Sequence, residues 1–152
     1  MGTALLLHTL AATVWVGGMF FVLVCLRPAA AALEPADRVR LMTGAMQRFF
    51  PWVLASMLIL LVTGLWMVLA VLGGFRTAGL HVHIMFGLGI VMILLGLHAY
   101  VAPFRRLRQL SAGGHWADAG RNLQQLRLFI TINLVLGLTV VAVASGGRYF
   151  FR

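Results

Sequence analysis

The sequence predicts an all-α fold, a four-helix bundle that is integral to a membrane. Of its 152 residues, 62% are hydrophobic and only 10% are charged, and the mean hydropathy is +1.00. A soluble domain of this length could not hide so much apolar surface, because small domains keep a large ratio of surface to volume. A third observation fixes the number of helices, since a helix needs about 20 apolar residues to cross a bilayer. Four stretches without Asp, Glu, Lys or Arg meet this length: residues 4–26, 52–72, 83–103 and 128–146. They leave no room for a second domain, so we expect a single transmembrane domain over residues 1–152.

The first helix is expected to end at Arg27-Pro28, because proline lacks an N–H and disfavours helix in the residue before it. A cleaved signal peptide over the first 32 residues is the alternative. The long apolar run, and the lack of positive charge before it, argue against that alternative. Cys25 is the only cysteine and so cannot form an intrachain disulfide.

The second helix is expected to follow a connection over residues 29–50. Within this connection, Glu34-Pro35-Ala36-Asp37 is typical of a helix start, and we predict a short interfacial helix there. Pro51 suits the first turn of the second helix, and Gly73-Gly74 is expected to end it.

The third and fourth helices are separated by a longer connection, residues 104–127. The third helix is predicted to end near Pro103, and Gly113-Gly114 marks a turn within the connection. Gly146-Gly147 is expected to end the fourth helix.

The positive charge of the chain predicts its orientation. All twelve basic residues are arginine and the formal net charge is +9. Eight of them lie in the two connections 29–50 and 104–127, and a ninth, Arg27, directly precedes the first connection. Cytoplasmic loops carry such an excess. The sequence therefore predicts both connections in the cytoplasm and both termini in the periplasm, as in a multi-pass protein of the bacterial inner membrane. Because these arginines lie in short loops between membrane spans, they also argue against nucleic-acid binding.

Histidines are the only ionisable residues inside the predicted spans, and such residues are candidates for function. His8 and His83 lie at comparable depth on two helices, beside small residues. Two neutral imidazoles that face each other across a bundle can hold a haem iron axially. We therefore predict a haem b site with His8 and His83 as ligands, and His81 as the alternative to His83. The other residues expected to contact the cofactor are Trp15, Gly87 and two arginines for the propionates, Arg76 and Arg148.

A second polar cluster is predicted at the inner half of the bundle, around His98. Asn133 could fix the tautomer of His98, and Ser56 lies at similar depth. Together with Met19 and Met57, His98 could also bind Cu(I), which accepts thioether and imidazole ligands.

Structural interpretations of these residues stay open. A buried histidine can simply hydrogen-bond to a neighbouring helix, as His98 could with Asn133. Most of the eight methionines would fill gaps in the core, and Gly17-Gly18 would only permit close helix approach.

Several segments resemble the copper-resistance protein D (CopD) membrane family, in its short single-domain form. The resemblance covers nearly the whole chain. It rests on LHTLAATVWVGGMF at residues 7–20, LRP at 26–28, LVTGL at 61–65 and APFRRL at 102–107. The family implies copper homeostasis, often uptake across the inner membrane.

The chain also resembles, more distantly, the HemJ-type protoporphyrinogen oxidases. These are small membrane proteins of four to five helices that use the equivalent of His8 as a haem ligand. They place a lysine near the start of the third helix, where this sequence has His83.

Four functions follow as hypotheses. The first is a haem b protein for electron transfer, and the second is a copper-handling membrane protein. The third is a porphyrinogen oxidase, and the fourth is a structural subunit of a larger complex. Whether the chain is an enzyme stays open; if it is, the histidines predict an oxidoreductase. The expected partners are the lipid bilayer, an unidentified redox partner and, as an open option, a second copy in a homodimer.

Overall fold

Four long helices make up the protein in a computed structural model that describes the backbone of residues 1–150 and the side chains of residues 1–146. The described backbone holds no β-strand, so the predicted all-α class is confirmed. Each helix is long and apolar enough to cross a membrane. We number them α1 (Gly2–Ala30), α2 (Pro35–Val71), α3 (Leu80–Ala112) and α4 (Trp116–Phe150).

The helices differ from the predicted spans mainly where the arginines are. α2 begins at Pro35, so the predicted interfacial helix is the first part of α2, and Pro51 lies inside the helix instead of at its start. α3 continues beyond Pro103 to Ala112, and α4 begins at Trp116. α4 also continues past Gly146-Gly147 to Phe150. Hydropathy detects only the apolar part of a helix. These helices extend beyond that part into polar residues, which hydropathy does not mark as helical. We call this side of the bundle, which holds Arg27, Arg38, Arg40, Arg48, Arg105, Arg106, Arg108, Arg121 and Arg127, the arginine-rich end.

The opposite side, which we call the histidine end, holds His8, His81 and His83. There the connection between α2 and α3 turns at Gly73 and Gly74, whose φ angles of 74° and 104° favour glycine. At the arginine-rich end, the turn between α3 and α4 uses Gly114 in the same way, with φ of 72°.

The bundle is built from two helix pairs. α1 packs chiefly against α2, and α3 packs chiefly against α4. α4 also contacts both α1 and α2, so it joins the pairs. His8 and His83 therefore belong to different pairs.

Two prolines coincide with wide, π-helical turns. One such turn spans Val22–Leu26, just before Pro28, and another spans Tyr100–Phe104, which includes Pro103. Proline removes a backbone donor and so leaves a carbonyl without its usual partner in the helix. The carbonyl of Pro103 itself accepts a hydrogen bond from the buried side-chain amide of Asn122, which ties α4 to the wide turn of α3.

The core is one continuous apolar cluster that runs from Trp15 toward the arginine-rich end. Its most completely buried large side chains are Met46, Leu107 and Leu126. Next to them, Phe50 contacts Phe104 with ring centroids 4.5 Å apart. The tightest packing is thus at the arginine-rich end of the bundle.

The outer surface of the bundle is apolar. Within the most hydrophobic part of each helix, only 11–28% of the residues are buried inside the protein. Outward-facing side chains include Leu6, Val62, Leu94 and Val135, each about 60% exposed. Such a surface is stable in lipid and not in water, so the chain is a multi-pass membrane protein.

Candidate functional site

His8 belongs to α1, and its side chain contacts α2 at the histidine end. Its ring is half-buried, and its Nδ1 lies 2.8 Å from the hydroxyl oxygen of Thr63. Gly64 leaves room for the imidazole, because a Cβ at that position would lie 3.2 Å from the Cε1 of His8. Thr63 and Gly64 of α2 therefore hold the His8 ring in place.

The hydrogen bonds of Thr63 determine which nitrogen of His8 carries the proton. The hydroxyl of Thr63 donates to the carbonyl of Ile59 at 2.6 Å. A hydroxyl has a single proton, so when Thr63 donates to Ile59 it accepts from His8, and Nδ1 of His8 is then the donor. The Nε2 atom then keeps a free lone pair. A metal-binding histidine has this arrangement, in which one ring nitrogen is held by a neighbour and the other is the ligand.

His83 has the same tautomer for a similar reason. Its Nδ1 lies 3.2 Å from the carbonyl of Gly79, the residue directly before α3. A carbonyl can only accept, so Nδ1 carries the proton and Nε2 is free. The ring of Phe75 lies beside it, with centroids 6.0 Å apart. His83 is exposed, and within the described chain no hydrogen bond joins it to His8.

The other residues predicted around a cofactor lie in different surroundings. Gly87 is one turn after His83 on the same exposed face, and a Cβ there would meet nothing within 4 Å. Arg76 is exposed in the connection at the histidine end. The side chain of Arg148 lies outside the described residues. Trp15 is only 2% exposed and packs in the core, deeper than His8. The Nδ1 of His81 is buried and has no partner among the described residues.

The residues of the second predicted cluster, around His98, lie in two separate places in the structure. Asn133, Met57 and Trp15 meet around Gly96 of α3, and Met19 and Ser56 are also buried. The amide of Asn133 donates to the carbonyl of Met92 at 3.1 Å, not to His98. His98 is exposed and packs on the ring of Phe129. The expected bond between Asn133 and His98 is therefore not formed.

Thr63 and Gly64 were not assigned a role from the sequence. From sequence, the segment LVTGL indicates only a resemblance to a family. The signal that could have found them is a hydroxyl next to a glycine on α2, at the same depth as His8. In the part of the chain that the structure describes, no three His, Cys, Asp or Glu side chains cluster to hold a metal ion.

Comparison with known proteins places the chain in a family. A family model described as copper resistance protein D matches residues 43–146, which is more than half of the 152-residue chain. The matched part contains Thr63, Gly64 and His83, and His8 lies before it. No curated protein and no solved structure gives a significant match.

Proposed function

The chain belongs to the copper resistance protein D (CopD) family, and we propose that it is an inner-membrane redox protein that binds haem b. In this proposal His8 and His83 would hold the haem iron, with His81 as the alternative to His83. The proposal is carried by one observation: the Nδ1 atoms of His8 and His83 are both bonded to neighbours, at 2.8 and 3.2 Å. Both rings therefore offer Nε2 as a ligand.

The donor set suits haem. A porphyrin supplies four equatorial nitrogens to its iron, so the protein needs to add only one or two axial ligands. Neutral imidazoles from two helices meet this need in helix bundles. Arg76, exposed at the same end of the bundle, could pair with a propionate. Bound haem would supply one-electron transfer.

The residues around His8 contribute orientation and space. Thr63 accepts a hydrogen bond from Nδ1 of His8 and so fixes both the tautomer and the angle of the ring. Gly64 keeps α2 close to the imidazole. His83 is oriented by its own helix, through the carbonyl of Gly79.

A visible spectrum of the purified protein, oxidised and then reduced, tests the proposal. We expect a Soret band that shifts on reduction. The variants His8→Ala and His83→Ala should each lose or shift most of this band, whereas His115→Ala, at an exposed position in the α3–α4 turn, should match the wild type. A sample with no Soret band after haem supplementation would overturn the proposal, as would a His8→Ala spectrum equal to that of the wild type.

Copper handling is the second candidate function, because it is the activity that the family description names. The buried methionines Met19 and Met57 near Trp15 offer thioether sulfur, a ligand that suits Cu(I). Cells that express the chain should accumulate more copper than cells that express Met19→Leu/Met57→Leu. Immunoblots check that the two proteins are expressed equally. Equal accumulation, at equal protein levels, would reject this function.

A further inference from the structure

A cavity of about 380 Å³ opens at the arginine-rich end, away from His8, His81 and His83. It lies between the end of α1, the start of α2 and the start of α4. Its size falls within the range of sites for small molecules, roughly 300–1,000 Å³.

The charged lining of this cavity has one sign. Arg27, Arg38, Arg121 and Arg127 all contribute to its wall, and no acidic residue of the described chain does. Asp118 pairs with Arg121 from outside the lining. The cavity therefore attracts anions.

The arginines still have donors available. Arg27 and Arg127 are exposed, and their guanidinium groups make no hydrogen bond or ion pair within the described residues. Arg38 donates to the carbonyls of Ala31 and Leu33, both at 3.0 Å. Its Nε is buried and has no acceptor in the part of the chain that the structure describes. Guanidinium groups with unused donors are suited to phosphate.

Apart from Gln124, the remaining wall is apolar. It includes Val22, Leu23, Met42, Met46, Leu126 and Ile130. These residues lie where the apolar spans meet the arginine-rich end of the bundle. A free phosphate would gain nothing from this surface, whereas a phosphate that carries acyl chains would use both parts of the wall. Basic pockets between transmembrane helices bind anionic lipid headgroups in this way.

We propose that this cavity is a binding site for the headgroup of an anionic phospholipid, taken from the leaflet at the arginine-rich end. The phosphate lies among Arg27, Arg38 and Arg127, and the glycerol and first methylenes contact Met42 and Ile130. The acyl chains then continue along the apolar outer surface of the bundle. The site is separate from the proposed cofactor site and does not depend on it.

Native mass spectrometry of the purified full chain tests the proposal, with phosphatidylglycerol and phosphatidylcholine of identical acyl chains as probes. The test variant is Arg27→Gln/Arg127→Gln, because neither side chain has a bond within the described protein to lose. The control is Arg105→Gln/Arg106→Gln, which removes the same charge from exposed positions at the same end but outside the cavity. Circular dichroism and thermal melting of each variant verify that it is folded.

We expect the wild type to retain phosphatidylglycerol over phosphatidylcholine, and the test variant to bind phosphatidylglycerol at least about tenfold more weakly. The control variant should bind it as the wild type does. Equal binding of the two lipids, or equal losses in the two variants, would overturn the proposal. Displacement of phosphatidylglycerol by an equal concentration of inorganic phosphate would also overturn it, because the site would then be one for free anions.

Discussion

His8 and Thr63 show how one hydroxyl decides the chemistry of an imidazole. The hydroxyl of Thr63 donates a hydrogen bond to the carbonyl of Ile59, at 2.6 Å, so its oxygen accepts a hydrogen bond from His8. Without that donation, either ring nitrogen could carry the proton. The bond also holds the ring against Gly64, and so fixes where Nε2 can lie.

The variant Thr63→Val is expected to weaken haem binding by about 10–100-fold, since loss of a partner that orients a ligand has this effect on metal sites. Haem titration of the purified variant, followed at the Soret band, measures the change. Thr13→Val is the matched control, because Thr13 is exposed on α1 and its hydroxyl bonds only to the carbonyl of Thr9. If both variants bind haem as the wild type does, Thr63 has no role in orienting His8.

At the scale of the helices, α1 packs closely against α2 at Gly18. A Cβ at Gly18 would lie 2.7 Å from the Cζ of Phe49 and closer still to its Cε2. A Cβ at the neighbouring Gly17 would meet nothing within 4 Å. Of the two glycines, therefore, only Gly18 serves the close approach expected from the Gly17-Gly18 pair.

We expect Gly18→Ala to destabilise the protein by about 1–3 kcal/mol, because the stiff ring of Phe49 must move to admit the methyl group. Gly17→Ala should be neutral or stabilising by up to about 1 kcal/mol, since alanine is the better helix former. Unfolding in mixed micelles with increasing denaturing detergent measures both. Equal stability of the two variants would show that α1 and α2 can separate at Gly18 without loss.

For the whole molecule, the charges predict how the bundle lies in the membrane. The arginine-rich end carries nine of the twelve arginines of the chain, and it is extended by the polar starts of α2 and α4. Transferring this end across the membrane would be costly. The histidine end, with His8, His81 and His83, would then face the periplasm.

Fusion reporters on the full chain test this orientation. Alkaline phosphatase fused after residue 152 should be active in bacterial cells, because that enzyme folds in the periplasm, and green fluorescent protein at the same position should stay dark. A second pair of fusions, inserted at the Gly113-Gly114 turn, should give the opposite pattern. Reversal of both patterns would place the arginine-rich end outside and contradict the prediction.

The sequence alone determined the membrane class, the number of helices and the family. Apolar runs of membrane length are a local property of the chain, so they can be counted without coordinates, and the motifs at residues 61–65 and 102–107 lie in the segment that the family model matches. The ends of the helices were less predictable. Hydropathy falls where a helix leaves the lipid, but the helical hydrogen bonds of α2 and α4 continue into the polar segments.

Only the tertiary structure decided the contacts between helices. His8 meets Thr63 across 55 residues of sequence, and Asn133 meets the carbonyl of Met92, not His98. Along an apolar helix, hydropathy does not indicate which face meets a neighbour, because lipid and protein core favour the same residues. The rotation of each helix is set by packing, as at Gly18 and Phe49, and that rotation determines which polar side chains meet.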